Sequence, residues 1–131
     1  MNSKLKTTFA VVAGAALGAV AIQALHAQAK PPAYAVVDIS EITDPEGYKA
    51  VGGRSNAAAQ ASSTQLGGKQ IARTDKIIAL DGTPPKRFVI NAFESVEKAQ
   101  AWYQSAAQKE VNAIRIKTTK SRAFIVEGLP Q

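Results

Sequence analysis

Residues 33–37 (AYAVV), 88–90 (FVI) and 124–126 (FIV) are apolar at every consecutive position. Successive side chains of a β-strand point to opposite sides of the sheet. Unbroken apolar runs therefore make both faces apolar, where an antiparallel sheet with one wet face would alternate. Two short helical regions can cover only one of those faces. The other would leave a larger apolar area than a soluble monomer usually carries. The pattern predicts a sheet packed under helices on one side and under a second copy of the chain on the other.

The rest of the chain supplies the helices. Residues 33–42 (AYAVVDISEI) are dense in β-formers and read as the first strand. Asp44-Pro45-Glu46 has the chemistry of a helix start, with a capping carboxylate, a proline that needs no donor and an acid at the positive end of the dipole. Gly52-Gly53 interrupts this helix, and SNAAAQASSTQL resumes it as far as Gly67-Gly68. KQIAR and KIIAL, on either side of Thr74-Asp75, predict a tight hairpin. The following DGTPP is a loop, since two prolines do not fit a central strand. RFVINAF at 87–93 is the next strand. Ser95 caps a helix carrying Val96, Ala99, Trp102, Tyr103 and Ala106 at helical spacing, and Ala107, Val111, Ile114 and Thr118 mark one face of a further helix. RAFIVE at 122–127 closes the chain as a strand. Strand, helix, two strands, strand, helix, strand is the order of the ferredoxin-like α+β class, an antiparallel sheet with its helices on one face.

The start of the chain has another purpose. MNSKLK is basic, residues 9–22 (FAVVAGAALGAVAI) carry no charge, and Ala27-Gln28-Ala29 places small residues where a signal peptidase reads them. Residues 1–29 therefore read as a secretory signal peptide cleaved between Ala29 and Lys30, leaving 30–131 as a single domain. The alternative, an uncleaved anchor, is disfavoured because the run is short and rich in Ala and Gly. Without a twin arginine, the general secretory route is expected. Without a cysteine, lipidation at the leader is excluded. The exported protein is expected to be periplasmic or secreted, with no membrane anchor after cleavage.

Cleavage removes His26, the sole histidine, and the chain has no cysteine. The mature domain then has no disulfide, no His/Cys zinc site and no Ser-His or Cys-His nucleophile. Loss of Lys4 and Lys6 leaves fourteen bases against ten acids. Four of the bases lie in RIKTTKSR (115–122), which reads as a solvated helix end feeding a strand rather than as a nucleic-acid surface. No cofactor or metal is expected. Ser95-Val96-Glu97-Lys98 matches a serine–lysine nucleophile motif, but its companion motifs are missing and Ser95 stands where a helix needs its cap. Asp38, Glu41, Asp44 and Glu46 lack the alternation and glycine of a calcium loop, and strand alternation places Asp38 and Glu41 on opposite faces. Gly67-Gly68-Lys69 lacks the remainder of a phosphate loop.

Trp102 and Tyr103 point about 100° apart on a helix, so one covers the sheet while the other lies at its margin. Asn91 interrupts a strand that otherwise reads as buried, and a buried amide needs partners. Tyr34, Asp38, Asn91 and Trp102 together form a candidate pocket.

YAVVDISEITDPEGYKA, LDGTPPKRFVI, FESVEKAQAWYQS and SRAFIVEG resemble the domain of unknown function 1330 family, over almost all of the predicted mature chain. The resemblance implies a dimeric α+β barrel of ferredoxin-like topology. The family has no agreed activity, and related barrels include cofactor-free monooxygenases. Three positions depart from its pattern. Gln108 stands where the family usually has Tyr or Phe, Asn91-Ala92 replace bulkier or acidic residues, and SNAAAQASSTQ is poorer in large side chains.

The expected function is that of an exported homodimeric small barrel, binding a small molecule or a partner rather than acting as an enzyme. The alternative is a cofactor-independent monooxygenase or isomerase with Asp38 as base, which would require burial of that carboxyl. A purely structural dimeric module is the third class.

Overall fold

The computed structural model describes residues 30–131. The leader reading, with His26 and Ala29, lies outside the described residues. Strand β1 (Ala33–Ile42) is followed by a short helix α1 (Pro45–Tyr48), a 3₁₀ turn (Lys49–Gly52) and helix α2 (Arg54–Gln65). Strands β2 (Lys69–Thr74) and β3 (Arg87–Phe93), helices α3 (Val96–Tyr103) and α4 (Ala106–Thr118), and strand β4 (Thr119–Glu127) complete the domain. The four strands lie in the order β2-β3-β1-β4, every neighbouring pair antiparallel. Each helical connection passes over one intervening strand, which is the split βαβ pattern of the ferredoxin-like fold.

Local chemistry sets the boundaries. Asp44 Oδ1 accepts from the Gly47 N–H at 3.0 Å and opens α1. Ser95 and Ser105 each accept from the backbone N–H three residues on, at 3.3 Å, and Ser105 thereby starts a new helix one residue after Gln104 ends α3. At the end of α2, Gly67 takes φ +75°, with its N–H bonded to the Thr64 carbonyl and that of Gly68 to the Ser63 carbonyl. This is a Schellman cap, whose left-handed residue favours glycine.

Register then sorts the side chains. Ala35 lies opposite Asn91 and Ile125, and Val37 opposite Val89 and Ala123. This row faces the helices. Ala33, Ala35 and Phe93 pack with Ala99 and Trp102 in the core. Trp102 is 2% exposed, sits 5.4 Å from the Phe93 ring and donates its Nε1–H to the Ala59 carbonyl at 3.1 Å. Between the helices, Val51, Ala59 and Val111 form a second cluster. The small side chains of α2 contribute little area, but they let α4 approach closely.

The alternate row holds Tyr34 and Val36, opposite Ala92 and Ile90 on β3 and Val126 and Phe124 on β4. Val36 is buried among its neighbours, whereas Phe124 and Val126 remain 41% and 45% exposed. The two-sided pattern read from the sequence is present, with helices over one side.

Two local expectations are corrected. KIIAL forms no strand, so the sheet has four strands and the hairpin is β2 with β3. The place beside β2 that the expected hairpin would have used is taken by β3. After Thr74 the chain turns, with Thr74 Oγ1 accepting from the Lys76 N–H at 2.9 Å, and Ile78 and Leu80 are left exposed. The other correction concerns β1, where the pairing with β4 shifts between Ile39 and Glu41. One added residue changes the parity of a strand. Asp38 and Glu41 therefore pair with Arg122 and Lys120, two residues apart on β4, and share a face rather than opposing one another.

Candidate functional site

Strand parity divides the residues expected to form one pocket. Tyr34 and Asp38 lie in the row on the open side of the sheet, whereas Asn91, opposite Ala35, faces the helices with Trp102. The four do not share one wall. Asp38 is held by Arg122, whose Nε and Nη2 both reach Oδ2 at 3.0 Å. Its carboxylate is thus engaged on the open side, away from the cavity where a base would be needed.

The other acids are also occupied. Glu41 pairs with Lys120 at 2.7 Å and Glu46 with Lys49 at 3.0 Å, while Asp44 caps α1. Pairing with Glu41, through the hydrogen bond first and the charge second, raises the Lys120 pKa. Ser95 spends its hydroxyl on the helix cap, and the Lys98 ammonium is bound to Glu94 rather than to Ser95. The serine–lysine match is a cap.

Asn91 and Trp102 do meet, at a small cavity of about 50 Å³ between the sheet and helices α2 and α4. Its polar side chains are mostly amides and guanidiniums, with the Tyr48 phenol beside them: Gln70 and Asn91 from the strands, Asn56, Gln60 and Gln108 from the helices, and Arg73 and Arg115. Gln70 Nε2 approaches Asn91 Oδ1 at 3.5 Å, a long contact, and Gln108 Nε2 donates to Asn112 Oδ1 at 2.9 Å. Beside it lies an apolar recess of about 290 Å³, against Ala35, Tyr103, Ala123 and Ile125, and the two share Val37 and Trp102.

Arg115 corrects the reading of RIKTTKSR as solvated. Its residue is only 5% exposed. It follows Gln108, Val111 and Asn112 on the buried face of α4, at the spacing that carries the apolar stripe. Nη1 donates to Ser121 Oγ at 2.6 Å and Nη2 to Tyr103 Oη at 3.1 Å. Nε has no partner. Gln108, at the position where an aromatic residue was expected from the resemblance, is likewise buried. Reading polarity as a mark of solvent hid both residues; their helical phase with Val111 was the signal.

A family model, Domain of unknown function (DUF1330), matches residues 32–129. The chain belongs to this family. Among solved structures, the DUF1330 chain is similar to the RPA0582 protein of unknown function from Rhodopseudomonas palustris, at 18% identity over 76% of this chain and 84% of that one, TM-score 0.54. It is also similar to a hypothetical protein of Arabidopsis thaliana, at 16% identity over 77% and 91%, TM-score 0.52. A third is SnoaB, a cofactor-independent oxygenase from Streptomyces nogalater, at 10% identity over 77% and 96%, TM-score 0.50. At these identities the likeness is one of fold. Comparison with curated proteins finds no match.

Proposed function

We propose that this DUF1330 protein is an exported homodimer that binds a small molecule between its sheet and its helices. The observation that carries the reading is the polar cavity at Asn91, Gln108 and Arg115. A purely structural domain would fill such a position with apolar side chains, whereas a few convergent polar groups inside an apolar wall are the usual form of a ligand site. The adjoining recess supplies apolar surface. Binding is favoured over acid–base catalysis because the side chains lining the cavity include no carboxylate, imidazole or thiol. SnoaB, described as an oxygenase, lends the enzyme alternative a fold but no residue of this chain.

The dimer follows from the open face of the sheet, where Phe124 and Val126 remain uncovered. Export follows from the leader-like residues 1–29, which predict a secreted or periplasmic protein beginning at Lys30.

Thermal denaturation of the mature protein with phenols, quinols and benzyl alcohol tests the binding reading, since a ligand of the folded state raises the melting temperature by mass action. Trp102 is the sole tryptophan and lines both spaces, so its fluorescence reports the same event. A rise in melting temperature with a change in Trp102 emission is expected for at least one compound. An unmoved melting temperature and emission across neutral and charged panels would leave the structural-module reading instead.

A further inference from the structure

We infer that the ligand of this cavity is a small monocarboxylate, held by Arg115. This rests on the cavity being a binding site. A guanidinium is a permanent cation with five N–H donors. Arg115 is 5% exposed, and only two of those donors reach a protein acceptor, both of them neutral hydroxyls. An ion in a low-dielectric interior is costly unless paired and fully hydrogen-bonded. Among the described residues no acid pairs this one. Four exposed cations do have acids: Lys49 with Glu46, Lys98 with Glu94, Lys120 with Glu41 and Arg122 with Asp38. Arg115, the one buried cation among the described residues, has no acid beside it.

The cavity wall repeats the asymmetry. Arg73 and Arg115 both line it, with amides between them and no carboxylate. The missing negative charge is therefore expected from outside the chain. The planar fork of a guanidinium matches the two oxygens of a carboxylate. A space of about 50 Å³ admits a carboxylate group but no large anion. The organic remainder belongs in the recess of about 290 Å³, which shares Trp102 and Val37 with the cavity and includes Tyr103, whose hydroxyl already touches Arg115. An apolar body of a few carbons or one aromatic ring suits that space.

The experiment uses the mature protein at constant ionic strength. Acetate, butyrate and benzoate are compared with benzyl alcohol, phosphate and chloride by thermal denaturation and by Trp102 fluorescence excited at its red edge. Butyrate or benzoate should raise the melting temperature by about 10 °C at a hundred times its dissociation constant. Arg115→Met should weaken that binding at least tenfold while leaving any benzyl alcohol binding in place. Arg115→Lys, which keeps the charge but not the fork, should also lose at least tenfold and serves if the Met variant fails to fold. Benzyl alcohol binding without carboxylate binding would preserve the small-molecule reading and overturn this one. Phosphate or chloride binding as well as benzoate would overturn the carboxylate assignment. Carboxylate binding unchanged in both Arg115 variants would overturn the role of Arg115.

Discussion

Replacing Phe124 with Asp should separate the proposed dimer while leaving each copy folded. An exposed Phe presents roughly 200 Å², and 41% of Phe124 remains uncovered in one copy. Covering that remainder removes about 80 Å² from water, or about 2 kcal/mol at 25 cal/mol per Å². A two-fold interface uses each residue twice, so the loss is about 4 kcal/mol per dimer, roughly a thousandfold in dissociation constant. Desolvating two carboxylates would add to this. Within one copy the change is mild, because Arg122 already lies over the Phe124 ring at 5.7 Å and can pair with an acid there. Sedimentation or light scattering from about 1 to 100 μM, with circular dichroism as the check on folding, measures both effects. Ile116→Asp is the control, since Ile116 is 66% exposed on helix α4, away from the open face of the sheet. A monomeric unmodified protein at micromolar concentration, or a Phe124→Asp dimer of unchanged affinity, would refute the assignment of this face.

Gly68→Ala should cost about 1–3 kcal/mol, because a Cβ there would lie 2.3 Å from Ser63 Oγ and 2.4 Å from Phe93 Cε1; urea unfolding measures it, with Gly52→Ala, which meets nothing within 4 Å, as the neutral comparison. Ser95→Ala should lower stability by about 1 kcal/mol through loss of the α3 cap, which urea unfolding measures. Lys98 holds the Glu94 carboxyl below its usual 4.5, by hydrogen bond first and charge second. The small stabilisation from this pair is therefore complete above about pH 4.5 and fades as pH falls through the lowered value; carboxyl NMR titration of Lys98→Met should return Glu94 to the ordinary range.

The strands and caps were legible because their signals are local. Asp44, Ser95 and Gly67 act on backbone groups within a few residues, and the apolar runs of β1, β3 and β4 state which faces are dry. KIIAL was misread because the segment that pairs with β2 is chosen across the whole sheet, and β3 takes that place. The site was legible in part. Asn91 stood out as an amide in a buried strand, but its alliance with Asp38 and Tyr34 failed because register, not residue type, decides which row a side chain joins. Arg115 was hidden by its charge, although its phase on α4 put it with Val111.

The central position of β1 also shapes how this molecule is made. Its partners are distant in sequence: Ala33 lies opposite Phe93 and Glu127. Closing the longer loop rather than the shorter adds only about 0.4 kcal/mol of entropy, so equilibrium stability barely registers the distance. Folding rate does, since long-range pairings form slowly. At roughly 5–20 residues per second, the last strand follows the first out of the ribosome by several seconds. Until β4 arrives, a strand apolar on both faces keeps at least one edge without its neighbour. Such a chain is exposed to aggregation. It is also still threadable, which is the state the proposed export through a secretory channel would require.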